Sequence, residues 1–228
     1  MSRDQRSLSA VPPWVWIAVL ASLALQLALQ AALGRPRAGG DELPPAPSAQ
    51  ALRLAAFGEG AAAARLTMLY LQAFDMRELD YGRLIAWLRA ALGLDPRSQY
   101  PLFSAARIYA ENPDAPRARA VLEFVYEQFF LDPNRRWPWL AHGALLAKHR
   151  LKDLPLARRY AAAIDRHTTT KDVPLWARQM EIFILEDMNE LEAARIMLGG
   201  LLAGGQISDP DELRFLRERL ETLEAKGK

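Results

Sequence analysis

The chain contains no cysteine, which excludes a disulfide framework and any thiolate metal site. Histidine is scarce, with only His142, His149 and His167. His142 and His149 are seven residues apart, two turns of a helix. That places them roughly 10 Å apart along its axis, too far to share one metal ion. No Walker A loop, G-x-S-x-G elbow or H-E-x-x-H motif occurs. The sequence therefore predicts no cofactor, no metal and no catalytic constellation, and an enzyme is not the expected reading. A strong basic excess is also missing. The formal net charge is +2, so a dedicated nucleic-acid binder is not expected either. Strand-like alternation is absent, and apolar residues recur at helical spacing.

Charge is missing altogether from Trp14 to Leu33, WVWIAVLASLALQLALQAAL. A helix of that length spans about 30 Å, the hydrocarbon core of a bilayer. Trp14 and Trp16 sit where an interfacial aromatic belt belongs. The run exceeds the apolar core of a cleaved signal peptide, about 7–15 residues, which favours an uncleaved anchor. Arg3 and Arg6 on one side balance Arg35 and Arg37 on the other; the free amino group tips the N-terminus inside. Within this run Ser22, Gln26 and Gln30 share one face at i, i+4, i+8, beside a stripe of Ala24, Ala28 and Ala32. A polar stripe in hydrocarbon is costly without a partner, so these three residues are candidates for an intramembrane contact.

The expected organisation is a tail over 1–13, a transmembrane helix over 14–34, a Pro/Gly linker over 35–48 and a helical domain over 49–228. For a bacterial chain, this layout suits a single-pass inner-membrane protein whose C-terminal domain faces the periplasm. Ten helices are expected in the domain: 49–57, 61–75, 78–92, 101–112, 115–130, 137–150, 153–167, 174–187, 189–203 and 209–225.

One phrase occurs twice, LDPRSQYPLF at 94–103 and LDPNRRWPWL at 131–140. The offset of 37 recurs in Ala120, Ala157 and Ala194, in Leu102, Trp139 and Trp176, and in Tyr109, Leu146 and Phe183. A fixed period of this size with two helices per unit predicts an α-solenoid, in which neighbours must stack to build the core. The phrase reads as punctuation. Leu-Asp-Pro would end one unit, and Pro101 or Pro138 would open the first helix of the next.

These residues resemble the tetratricopeptide (TPR) repeat. Trp139 and Gly143 match the first two family positions; Tyr109, Ala120 and Phe124 fit the later ones in the preceding unit; Ala157 and Ala194 match the Ala. The units are 37 residues rather than the family's 34, and the resemblance spans about 61–203. It implies an antiparallel helix-pair solenoid that binds a protein or peptide along the concave face, lined by the first helix of each pair. On that pattern the candidate partner-binding groove comprises Tyr100, Phe103, Arg107, Trp137, Leu140, Lys148 and Glu181. Trp137 has two readings, a binding anchor or a staple between repeats.

Residues 135–171 hold nine Lys and Arg against two Asp, and residues 172–224 hold five Arg against twelve acids. Either adjacent repeats attract one another, or the basic segment meets an acidic partner or lipid head groups. The expected function is a membrane-anchored scaffold or assembly factor whose partners are proteins of a membrane complex and, through 14–34, the bilayer. An enzyme with a site in the concavity and a structural periplasmic spacer are the alternatives.

Overall fold

The computed structural model describes residues 12–33, 42–205, 207 and 209–226, with the side chains of 29–33 and 226 left aside. The described residues are all-helical, and no strand occurs among them. The elements are α1 (Pro13–Leu33), α2 (Ala49–Ala55), α3 (Gly60–Leu71), α4 (Tyr81–Leu94), α5 (Tyr100–Arg107), a 3₁₀ turn (Tyr109–Glu111), α6 (Ala115–Phe129), α7 (Pro133–His149), α8 (Leu154–His167), α9 (Leu175–Asp187), α10 (Leu191–Ala203) and α11 (Pro210–Lys226). From α2 onward each helix packs against neighbours one or two places along the chain. The expected helices are therefore present with small shifts at their ends.

The entries of α4, α6 and α8 share one device. The carboxylates of Asp80, Asp114 and Asp153 accept hydrogen bonds from Arg83, Arg117 and Leu156 N–H, at 3.1, 3.1 and 2.9 Å. Each satisfies a first-turn donor that has no intrahelical partner. Four residues after each cap comes a buried side chain, Leu84, Ala118 and Ala157, and Ala194 follows Glu190 in the same way. Ala120, the residue at the 37-residue offset, is exposed. The register from α6 to α8 is thus 39 residues (Ala118 to Ala157), and 37 only from α8 to α10 (Ala157 to Ala194).

The first helices of the pairs show a similar slip. Leu102, Leu140 and Ala177 are fully buried, as are Ala106 and Ala144, while Glu181 in the same series is 2% exposed. The step is 38 residues from α5 to α7 and 37 from α7 to α9. The extra residues lie between α6 and α7: Ala118 to Leu140 is a step of 22 residues, against 20 from Ala157 to Ala177, while Leu102 to Ala118 is 16, against 17 from Leu140 to Ala157. The main core runs from Leu43 through α9, and a second cluster joins α9, α10 and α11 through Leu185, Leu198 and Leu216.

The repeated phrase folds in two ways. In the first copy Asp95 closes α4, and α5 starts at Tyr100 with Pro101 in its first turn. In the second copy Pro133 is the first residue of α7, and the helix continues through Pro138. The expected helix start at Pro138 is thus corrected to Pro133. The reason is tertiary. Arg136, 4% exposed, turns inward and donates to Gln128 O at 2.6 Å and Pro96 O at 3.1 Å. Arg135 donates to Arg97 O at 2.9 Å, and Trp139 Nε1 to Gln99 Oε1 at 2.6 Å. The second phrase is laid directly on the first. On its other side Asn134 Oδ1 accepts from the N–H of Thr169 and Thr170, at 2.8 and 3.2 Å. These contacts fix the first turn of α7 although Pro138 cannot donate its own hydrogen bond.

Part of the expected linker belongs to the body. Leu43 is buried in the main core. Arg83 Nη1 donates to Leu43 O and Trp87 Nε1 to Pro44 O, both at 2.8 Å. Residues 1–11 and 34–41 lie outside the described residues. α1 carries no buried side chain among those described. Over the described residues, no helix is long and apolar enough to cross a membrane; the side chains of α1 are described only as far as Ala28.

Replacing Arg136 with Ala removes a charged donor and strands buried carbonyls. The expected cost is about 3 kcal/mol, a fall in melting temperature on the order of 10 °C for a chain of this size. Arg135→Ala at the exposed neighbour should stay within about 1 kcal/mol. Thermal melts followed by circular dichroism check both.

Candidate functional site

The predicted groove residues separate into two groups. Tyr100, Phe103 and Arg107 lie exposed on one side of α5. Leu140 does not join them. The register places it in the core, fully buried. Glu181 is also interior, and its carboxylate accepts from Arg158 Nε at 3.0 Å. Lys148 is committed to an ion pair with Asp187 at the end of α9. Trp137 is half-buried and meets the exposed Trp176 of the next pair edge-on, with ring centroids 5.5 Å apart. Its aromatic partner is thus on α9, whereas the staple reading places it on the preceding Leu131-Asp132-Pro133 turn. In α1, Ser22 and Gln26 are exposed; the side chain of Gln30 lies outside the described residues.

Around the first group the structure assembles a continuous aromatic row. Tyr100 stacks on Phe103 with centroids 6.1 Å apart, and Trp139 presents an edge to Phe103 at 5.6 Å. Both ends of the row are held. Gln72 Nε2 donates to Tyr100 Oη at 2.6 Å, and Trp139 donates to Gln99 as described above. Tyr100 and Phe103 remain 41% and 36% exposed. The Pro101 turn explains the presentation: Leu102, Ala105 and Ala106 take the buried side of α5 and leave 100, 103 and 107 outward.

A charged cluster continues the row one turn further along. Arg107 Nη1 donates to His142 Nδ1 at 3.3 Å. Receiving that bond leaves the ring proton on Nε2, which lies 3.9 Å from Glu111 Oε1 and has no hydrogen-bond partner among the described residues. Glu111 is clamped by Arg150, which binds its carboxylate and its carbonyl. Burial lowers the His142 pKa below its ordinary value, the Arg107 guanidinium lowers it further, and Glu111 opposes. His142 is therefore neutral at pH 7. Sequence reasoning missed Trp139, His142, Glu111 and Arg150 as site residues. The 37-residue offset aligns Trp139 with Leu102, which is buried. The other three come together only across the α5–α7 contact.

The other histidines stand apart. His149 is exposed, and His167 lies edge-on to Phe130 at 5.0 Å. Among the described residues no group of three or more His, Cys, Asp or Glu converges in a way that could hold a metal ion.

The opposed basic and acidic segments are partly joined. Lys148 and Arg158 reach the acidic side at Asp187 and Glu181. Arg150 and Arg159 instead pair backward, with Glu111 and Glu123. Arg119 with Asp153 and Arg219 with Glu186 complete a lacing of neighbouring pairs.

The depressed His142 pKa sets a pH dependence. The unfolded chain binds this proton near pH 6.5, the folded chain only at lower pH. The stability contribution is present above the unfolded value and is lost as pH falls through the folded one. The melting temperature should therefore drop as pH falls below about 6.5, and His142→Gln should flatten that drop. Equal slopes in the two proteins would remove His142 as the cause.

No protein-family model matches the chain, and neither a curated protein nor a solved structure is significantly similar to it.

Proposed function

We propose that this chain is a membrane-anchored scaffold, a TPR-like helical solenoid that holds a protein partner of a membrane-associated complex. The observation that carries the reading is the Tyr100–Phe103–Trp139 row running into the Arg107–His142–Glu111–Arg150 cluster. Half-exposed aromatics beside Arg, on rigid helices, form the residue mix that concentrates binding energy at protein interfaces. The aromatic rings are already held by Gln72 and Gln99, so little ordering entropy is lost on binding. The guanidinium of Arg107 offers a partner carboxylate a charged donor, because its protein contact is the neutral His142.

The solenoid reading is supported by nearest-neighbour packing of helix pairs and by the recurring cap-plus-four interior position. The membrane reading rests on the whole Trp14–Leu33 stretch, twenty residues without a charge, and on the uncovered apolar side chains of α1, including Trp14, Ile17 and Leu20. With the N-terminus inside, the helical body faces the periplasm, and Ser22, Gln26 and Gln30 offer a contact for a second membrane helix.

Two measurements test this. A reporter active only in the periplasm, fused after Lys228, should be active; activity of only a cytoplasmic reporter there would overturn the orientation. Purification from membranes in mild detergent, followed by mass spectrometry, should recover a defined partner with the wild-type chain. Phe103→Ala with Tyr100→Ala should lose it, at a binding cost of about 2 kcal/mol or more, while the helical melt stays near wild type. An unchanged partner set would remove this row as the binding surface.

A further inference from the structure

The α2–α3 end of the helical body, which follows α1 in the chain, carries several exposed large apolar side chains. Phe57 is 99% exposed, and Leu54, Leu66 and Leu69 stand out from α2 and α3. Phe57 sits at the tip of the α2–α3 corner with φ of +54°, followed by Gly58 at +88°. A bulky residue in the left-handed region is uncommon. Here the turn presents the ring to solvent instead of folding it onto the body.

Terminal units of a helical array ordinarily carry a polar outer face, because nothing stacks on them. This end is apolar. A shallow hollow between α2 and α3, about 180 Å³ and lined by Leu52, Ala56, Leu66, Tyr70 and Trp87 among others, continues the same surface. The same two helices and their corner carry two exposed cations, Arg53 and Arg65, and one exposed carboxylate, Glu59. Phe and Leu beside Arg is the composition of surfaces that settle at the boundary between acyl chains and head groups.

The chain length specifies what can cover it. Eight residues, Gly34 to Asp41, join α1 to the body. Fully extended they span roughly 30 Å. A bilayer that holds α1 is therefore within roughly 30 Å of the start of the body, and Pro44, which accepts from Trp87 at 2.8 Å, brings that start to a residue lining the hollow.

We propose that the α2–α3 end of the body rests on the bilayer, with Phe57 and Leu54 entering the interface and Arg53 and Arg65 at anionic head groups. This rests on the reading of α1 as a membrane anchor. It orients the body: the aromatic row on α5 and α7 stands off the membrane, further along the array.

The absence of cysteine makes the test direct. Single-cysteine variants Ala21→Cys, Phe57→Cys and Ile196→Cys of the full chain are labelled with an environment-sensitive fluorophore. They are then reconstituted in vesicles of phosphatidylcholine and phosphatidylglycerol. Nitroxide-bearing lipid should quench the labels at 21 and 57 several-fold more than the label at 196. Phe57 is exposed, so its replacement leaves folding intact. Quenching at 21 but not at 57 overturns the proposal and leaves the anchor standing. No quenching at 21 overturns both. Shielding of 57 from a water-soluble quencher without lipid quenching assigns the surface to a second copy or another protein, and also overturns the proposal. Arg53→Gln with Arg65→Gln should reduce quenching at 57 in vesicles containing phosphatidylglycerol; unchanged quenching there rules out the head-group contact.

Discussion

Every other feature of the body depends on one constraint: no helix pair here can bury its apolar side alone. α5 has eight residues, too few to be stable in isolation. Its buried Leu102 and Ala106 find their cover on α4, α6 and α7. Stacking therefore creates the core, and the interior register of each pair must match the next. Burial of a Leu is worth about 1.5–3 kcal/mol. A proline inside a helix costs about 3 kcal/mol or more, and the burial of Leu140 offsets it together with the hydrogen bonds of Arg135, Arg136 and Trp139. The chain keeps Leu140 inside and runs α7 through the proline.

The polar contacts between pairs follow from that register. Once the second Leu-Asp-Pro phrase lies on the first, Arg135, Arg136 and Trp139 find the carbonyls and the amide of the earlier turn. Arg136 serves the stack most directly, since it closes backbone acceptors from two elements at once. The ion pairs between neighbours are mostly half-exposed and contribute little stability each.

The same register makes the site. Leu102 and Ala106 turn one side of α5 inward, so Tyr100, Phe103 and Arg107 are left on the other. α7 then brings Trp139 and His142 alongside. The row is rigid because it is a by-product of the core, and its outward face is free because the core does not need it.

The amino-acid sequence by itself determined the helical class, nearly every helix, the charge-free N-terminal run and the existence of repeating pairs. Periodicity, Asp caps and Pro are local signals, and they act within a turn or two. Tyr100, Phe103 and Arg107 came from the family resemblance and not from these signals; the structure shows them exposed on α5. Tertiary structure alone decided the register. A slip of two residues between Ala118 and Leu140, with one residue fewer between Leu102 and Ala118, is invisible in a search at fixed offset, yet it places Leu140 and Glu181, expected in the groove, in the interior and exchanges Ala120 for Ala118. It also decided that Leu43, within a stretch that reads as linker, belongs to the core, because the donors of Arg83 and Trp87 that hold it lie some forty residues away along the chain. Side chains that meet across helices owe their contact to packing, and packing depends on the whole stack at once.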